Sequence, residues 1–274
     1  MPEPGGGKLP ASRLYATHAG SLEAIVAGQG ESSILLFSGA GVTLAGWRGL
    51  FPGLERAGKV LAWNRFGAGR SDRPRQPQTG ALVVACLREL LQATGLPPPY
   101  VLVGHSLGGL HAHLFARLHP DEVRAVLLLE ATHPRDREML KGHEGQLAAV
   151  LGKLFALPQR LFRANLHAEM AQVDETARQV AAAGPFPAVP LVVVSGGNPP
   201  PRWLMPPAAW QVRQAHQREL LRLSPLSEHV IAAGSGHFPQ RSEPQLVLQA
   251  VQRLVAAAPP PGQAAALATE FSSA

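Results

Sequence analysis

Short apolar runs recur along the chain, separated by longer stretches whose apolar positions fall three and four residues apart. The short runs are RLYATH (13–18), EAIVAG (23–28), SSILLFSG (32–39), GKVLAWN (58–64), YVLVGH (100–105), VRAVLLLE (123–130), PLVVVSG (190–196) and SEHVIAAG (227–234). The later ones are apolar at successive positions and rich in Val, Leu and Ile, as parallel strands covered on both faces are. Between them, the pattern predicts helices over 80–94, 107–118, 207–223 and 244–257. Thr79 stands where an N-cap is needed, Gly95 where that helix must stop, and Pro244 at a helix start. Strands alternating with helices predict an α/β fold built on a mostly parallel eight-stranded sheet flanked by helices.

One interval breaks the rhythm. Residues 134–187 contain no convincing strand but three helical stretches, EGQLAAVLGKLFAL, PQRLFRANLHAEM and VDETARQVAAAG. An insertion of this size after the sixth strand predicts a helical cap over the carboxyl edge of the sheet. The expected organisation is a core of residues 12–133 and 188–257, with the cap at 134–187. The Pro-, Gly- and Ala-rich ends, 1–11 and 258–274, are expected to be disordered tails.

A chain of 274 residues, 46% hydrophobic, is long enough to bury a large core. The formal net charge of +6 comes from scattered arginines, and aromatics are only 5%. That pattern points away from nucleic-acid binding. The single cysteine, Cys86, excludes an internal disulfide and sits in an apolar helical stretch, where it reads as a packed thiol. The N-terminus has no apolar segment of the signal-peptide kind, and no apolar run reaches the ~18 residues of a membrane span. The expectation is a cytoplasmic protein; its oligomeric state is not legible.

Chemistry concentrates in YVLVGHSLGGLHAH (100–113). A strand runs into Gly104-His105-Ser106-Leu107-Gly108 and a helix follows, the context a G-x-S-x-G nucleophile elbow requires. Small residues two before and two after the serine let the backbones cross at a tight turn. Ser106 then stands at a helix N-terminus, where partial positive charge favours a developing anion. A serine hydroxyl needs a base. Of 11 histidines, His237 is the candidate, on the Gly-rich turn GSGHFP after the last strand. His105 is expected to point to the core side of the elbow. His111, His113 and His216 fall on helices, and His229 lies at the start of a strand, the wrong end of the sheet.

With LLFSGAG (35–41), NRFGAGRSDRP (64–74), GHSLGG (104–109) and GSGHFPQRSEP (234–244) in view, the sequence resembles the α/β-hydrolase superfamily over residues 12–257. The resemblance is to its serine-nucleophile, esterase-like branch. It implies a triad in the order Ser, acid, His. Most relatives carry the acid after the strand PLVVVSG, but the loop here offers only Ser195 and Asn198. Part of the family places it after the preceding strand, where Glu130 ends a run of leucines. A carboxylate there would hold the imidazole tautomer. Asn198 and Asp136 are the alternatives. The resemblance further implies an oxyanion hole from the backbone N–H groups of Leu107 and Ala40, although Ser38-Gly39 replaces the usual His-Gly pair. Arg65, Arg70 and Asp72 are expected to be structural. Trp47, Phe155, Leu161 and Phe162 are apolar candidates for either a substrate pocket or core.

The implied activity is that of a carboxylesterase cleaving small-molecule esters through an acyl-enzyme, with Ser106, His237 and Glu130 catalytic. No cofactor or metal is called for, since neither clustered Cys/His spacing nor a phosphate-cradling loop occurs. Amidase, lactonase and perhydrolase chemistry would use the same triad, and a lyase the same fold. Serine at the elbow argues against the branches that use aspartate there.

Overall fold

The computed structural model describes residues 8–136, 165–203 and 205–257. The apolar runs form eight strands: β1 (Arg13–Thr17), β2 (Gly20–Ala27), β3 (Ser33–Phe37), β4 (Lys59–Trp63), β5 (Tyr100–His105), β6 (Val123–Leu129), β7 (Leu191–Gly196) and β8 (Ser227–Ala232). They make one sheet in the order β1-β2-β4-β3-β5-β6-β7-β8. β2 runs antiparallel to both neighbours; every pair from β4 to β8 is parallel.

Consecutive strand residues face opposite sides of a sheet, so a strand apolar at every position needs cover on both. β3 is such a strand. Leu35 and Phe37 face a core with Leu87, Leu110 and Phe115, while Ile34 and Leu36 face one with Phe51, Leu54 and Val251. The first cover comes from α2 (Gly80–Thr94) and α3 (Leu107–Leu118), the second from α1 (Phe51–Ala57) and α7 (Pro244–Ala257). Cys86 is buried on α2. Thr79 caps α2 by accepting from the Leu82 N–H, and Gly95 ends it in the left-handed region at φ 66°.

The helices depart from the sequence pattern in three places. The helix expected over 207–223 is α6 (Pro207–Glu219) followed by a tighter 3₁₀ turn, Leu220–Leu223. α1 was not legible, because seven residues containing Pro and Gly are too few to establish a period. Past residue 164 come two helices, α4 (Leu166–Ala171) and α5 (Val173–Ala182). α5 buries Val173 and Val180 against α2 and α3 and so joins a layer flanking the sheet. EGQLAAVLGKLFAL and the first half of PQRLFRANLHAEM lie outside the described residues, as do most of the expected tails. Among the described residues, no helix is long and apolar enough to cross a membrane.

Candidate active site

Because β3 and β5 to β8 run parallel, their carboxyl ends share one rim of the sheet, where open α/β folds bind ligands. Ser106 follows β5 directly, at φ 52° and ψ −123°, a conformation disfavoured for a side-chain-bearing residue. Neighbouring backbones hold it there. Ser106 N–H donates to Leu129 O (3.1 Å), and its carbonyl accepts from Gly109 (2.9 Å) and Thr132 (3.0 Å). The flanking glycines allow the crossing: a Cβ on Gly108 would sit 2.1 Å from Phe37 O, and one on Gly104 would sit 2.6 Å from the Gly109 Cα.

Glu130 follows β6 and is the other positive-φ non-glycine among the described residues, at 45°. His237 lies on the turn after β8. Its Nε2 is 3.1 Å from Ser106 Oγ and its Nδ1 is 3.3 Å from Glu130 Oε2. The apolar run thus ends on a carboxylate that is 1% exposed but fully engaged. Gly196 N–H donates to Oε1 (2.8 Å), while Arg213 donates to Oε2 from Nη2 (2.8 Å) and Nε (3.1 Å). The other two candidates for the acid lie elsewhere. Asn198 is exposed, its backbone N–H given to Ser235 O. Asp136 is buried one step behind Glu130, taking His216 Nδ1 (2.7 Å) and the His133 N–H (2.8 Å), with Arg213 Nη1 at 3.6 Å.

The electrostatics suit a charged acid beside a neutral base. Burial alone would raise the Glu130 carboxyl. The His237 hydrogen bond and the Arg213 charge outweigh it and hold the group at about 2. Desolvation lowers the His237 imidazole, the bond to Glu130 opposes this, and Arg213 adds to the lowering; the net direction is down. Its side chain is still 42% exposed, open toward the rim. His105 is buried below it and donates from Nε2 to the His237 carbonyl (2.8 Å), since a carbonyl can only accept. Burial, with the nearby His237, pushes His105 down to about 3, which keeps it neutral.

The loop after β3 is braced from beneath. Arg65 donates to Ser38 O (2.7 Å) and Gly39 O (2.8 Å), and its Nε meets Glu169 Oε1 at 2.6 Å. Glu169, on α4, takes the Gly41 N–H at 2.9 Å. Ala40 lies between these anchors. The Leu107 N–H, first of α3, has no partner within its own helix. Arg70 and Asp72 serve backbone contacts: the Arg70 N–H reaches Glu23, and Asp72 takes the Ser21 N–H. Trp47 is core, 2% exposed, with Nε1 bonded to Ser38 Oγ. Phe155, Leu161 and Phe162 fall outside the described residues.

Arg213 and Glu169 went unseen in the sequence. Arg213, His216 and Gln217 share one face of α6, a polar i, i+3, i+4 set that ordinarily faces water. Here Gln217 donates to Ala131 O (2.7 Å) and the face turns to the site. His133, Asp136 and His216 lie within 4.8 Å of one another, but they suit an ion poorly. The two rings stack at 4.4 Å instead of converging, both Asp136 oxygens are taken, and Arg213 stands beside them.

A family model described as the alpha/beta hydrolase fold matches residues 33–186. Among curated proteins, YbdG of Bacillus subtilis (strain 168) is 26% identical over 110 residues, which is 39% of this chain. The match spans only 34% of that protein's length. Among solved structures, the enol-lactonase from Burkholderia xenovorans LB400 superposes with a TM-score of 0.64 at 19% identity, covering 89% of this chain and 100% of that one. A thermophilic esterase from Thermogutta terrifontis gives 0.62 at 21% identity, with 89% and 97% covered. At these identities the likeness extends to the fold alone.

Proposed function

The chain belongs to the alpha/beta hydrolase fold family, and from that membership we propose that it is a serine hydrolase cleaving carboxylic esters through an acyl-enzyme. The observation that carries the reading is the line Ser106 Oγ, His237 Nε2 at 3.1 Å, and His237 Nδ1, Glu130 Oε2 at 3.3 Å. In this mechanism Ser106 attacks the ester carbonyl as His237 Nε2 takes its proton. Glu130 accepts from Nδ1–H, fixing the tautomer and stabilising the imidazolium. The oxyanion meets the N–H groups of Leu107 and Ala40; each such donor is worth about 2.7–4 kcal/mol. His237 then gives the proton to the leaving alcohol, and water repeats the sequence to release the acid. No step needs a metal or organic cofactor.

Amides and lactones would pass through the same tetrahedral intermediate, so substrate class turns on the pocket and not on the triad. The test is a chromogenic panel of p-nitrophenyl esters, p-nitroanilides and lactones against the wild type and Ser106→Ala. The account expects ester turnover with an initial burst, lost in Ser106→Ala. Equal turnover in Ser106→Ala would overturn the nucleophile. Lactones or anilides cleaved to the exclusion of esters would keep the mechanism and replace the substrate.

A further inference from the structure

We propose that Arg213 is a positioning residue, gripping Glu130 through side chain and backbone together and so fixing the direction in which the carboxylate meets His237. The proposal rests on the roles of Ser106, His237 and Glu130 given above. Arg213 reaches in from α6 with its side chain 13% exposed. Nε and Nη2 donate to Glu130 Oε2 at 3.1 and 2.8 Å, and Nη2 also donates to the Glu130 carbonyl at 3.0 Å. One guanidinium thus ties the carboxylate to the backbone that bears it, at a residue whose φ of 45° needs outside support. The Gly196 N–H holds the other oxygen at 2.8 Å, so the carboxylate has little freedom to rotate away from His237. A planar fork can do this; an ammonium cannot make the same set of bonds.

The grip has an electrical signature that a purely structural brace lacks. Arg213 Nη2 lies 3.5 Å from His237 Nδ1. Both atoms donate to the same Oε2, so the guanidinium charge stands against protonation of the ring. The charged groups facing His237 are Glu130 and Asp136, which favour its imidazolium, and Arg213, which disfavours it; Arg241 lies over the neighbouring Phe238 ring. His105, packed below, is neutral. Facing Arg213 are Glu130, Asp136 and His237, with His216 on its own helix. His237 must be neutral to act as base, so activity falls as pH drops through its pKa. Removing the guanidinium moves that acid limb to higher pH.

The test measures kcat, KM and the pH dependence of kcat/KM for p-nitrophenyl butyrate hydrolysis in the wild type, Arg213→Met, Arg213→Lys, Glu130→Gln and the Glu130→Gln/Arg213→Met double variant. Loosening a positioned group by about 1 Å costs on the order of 10²-fold. The expected result for Arg213→Met is a kcat lowered by about that factor, KM little changed and the acid limb moved upward. Arg213→Lys keeps the charge but not the fork, so its limb stays put while its kcat falls; it carries the test if the methionine variant does not fold. In the double variant the two losses should not multiply. Wild-type kcat and limb in a folded Arg213→Met, or a loss at all pH values that multiplies with Glu130→Gln, would overturn the proposal. Ser106→Ala separates the failures: if it is inactive while Arg213→Met is unimpaired, only the role of Arg213 falls, and if it is active, the site itself was misread.

Discussion

The two described non-glycine residues at positive φ are Ser106 and Glu130, each one residue past the end of an adjacent parallel strand. Strain of this kind costs about 1–3 kcal/mol and persists only where neighbours over-determine it. Here the surrounding bonds are those that aim a hydroxyl and a carboxylate at one imidazole. Ser106 was legible because its motif is local, five residues set between a strand and a helix. Glu130 was reached through the resemblance, which in part of the family implies an acid at the end of this strand. Arg213 was not, because no local pattern separates an inward-facing arginine on a polar helix face from a solvated one. We expect Glu130→Gln to lower kcat by about 10⁴-fold, the loss known for a serine protease that keeps its triad geometry but not the acid's charge. With its one carbonyl oxygen turned to Arg213, the amide gives up only the Gly196 bond, so circular dichroism should report a folded protein. Near wild-type turnover would remove Glu130 from the mechanism.

Among elements, the strands read most clearly because a doubly covered sheet writes its burial into every residue. β3 and β5 are buried throughout. Helix positions were legible where capping residues marked them, as Thr79 and Gly95 mark α2, and not where the helix was as short as α1. Placement in space was harder. Periodicity identified α5 but does not say which layer receives it, and Val173 and Val180 send it to α2 and α3. Just before it, α4 carries Glu169 to the loop that holds Ala40. The Arg65–Glu169 pair is 5% and 3% exposed, and breaking a buried pair by removing one partner costs about 3–5 kcal/mol. Glu169→Ala should lose about that much stability in urea unfolding and much of its ester turnover, since Gly41 and Arg65 both lose an anchor. A folded variant with unchanged midpoint and rate would separate α4 from the loop after β3.

At the scale of the whole molecule, three buried imidazoles make stability depend on pH. Burial, helped by nearby charges, holds His105 and His113 at about 3 and His111 well below its ordinary value. Unfolding frees these rings to bind protons near pH 6.5, so the unfolded chain gains protons the folded one refuses. Stability is then full above that pH and declines as pH falls toward the folded values. By pH 5 His105 and His113 each cost about 2 kcal/mol, a large share of a net stability of about 5–15 kcal/mol, and His111 acts in the same direction. Glu130 works in a lower window: its depressed pKa adds stability above about 4.5 that is lost as pH falls toward 2. Urea midpoints should therefore drop clearly between pH 7 and pH 5, and equal midpoints would contradict the neutral burial of these rings. The proposed reaction depends on a serine made nucleophilic by its distant partners. Its most direct measurement is intact-protein and peptide mass spectrometry after treatment with a fluorophosphonate. One adduct per folded chain, on Ser106 and absent from Ser106→Ala, is the predicted result; a folded protein left unlabelled, or labelled at another residue, would contradict it.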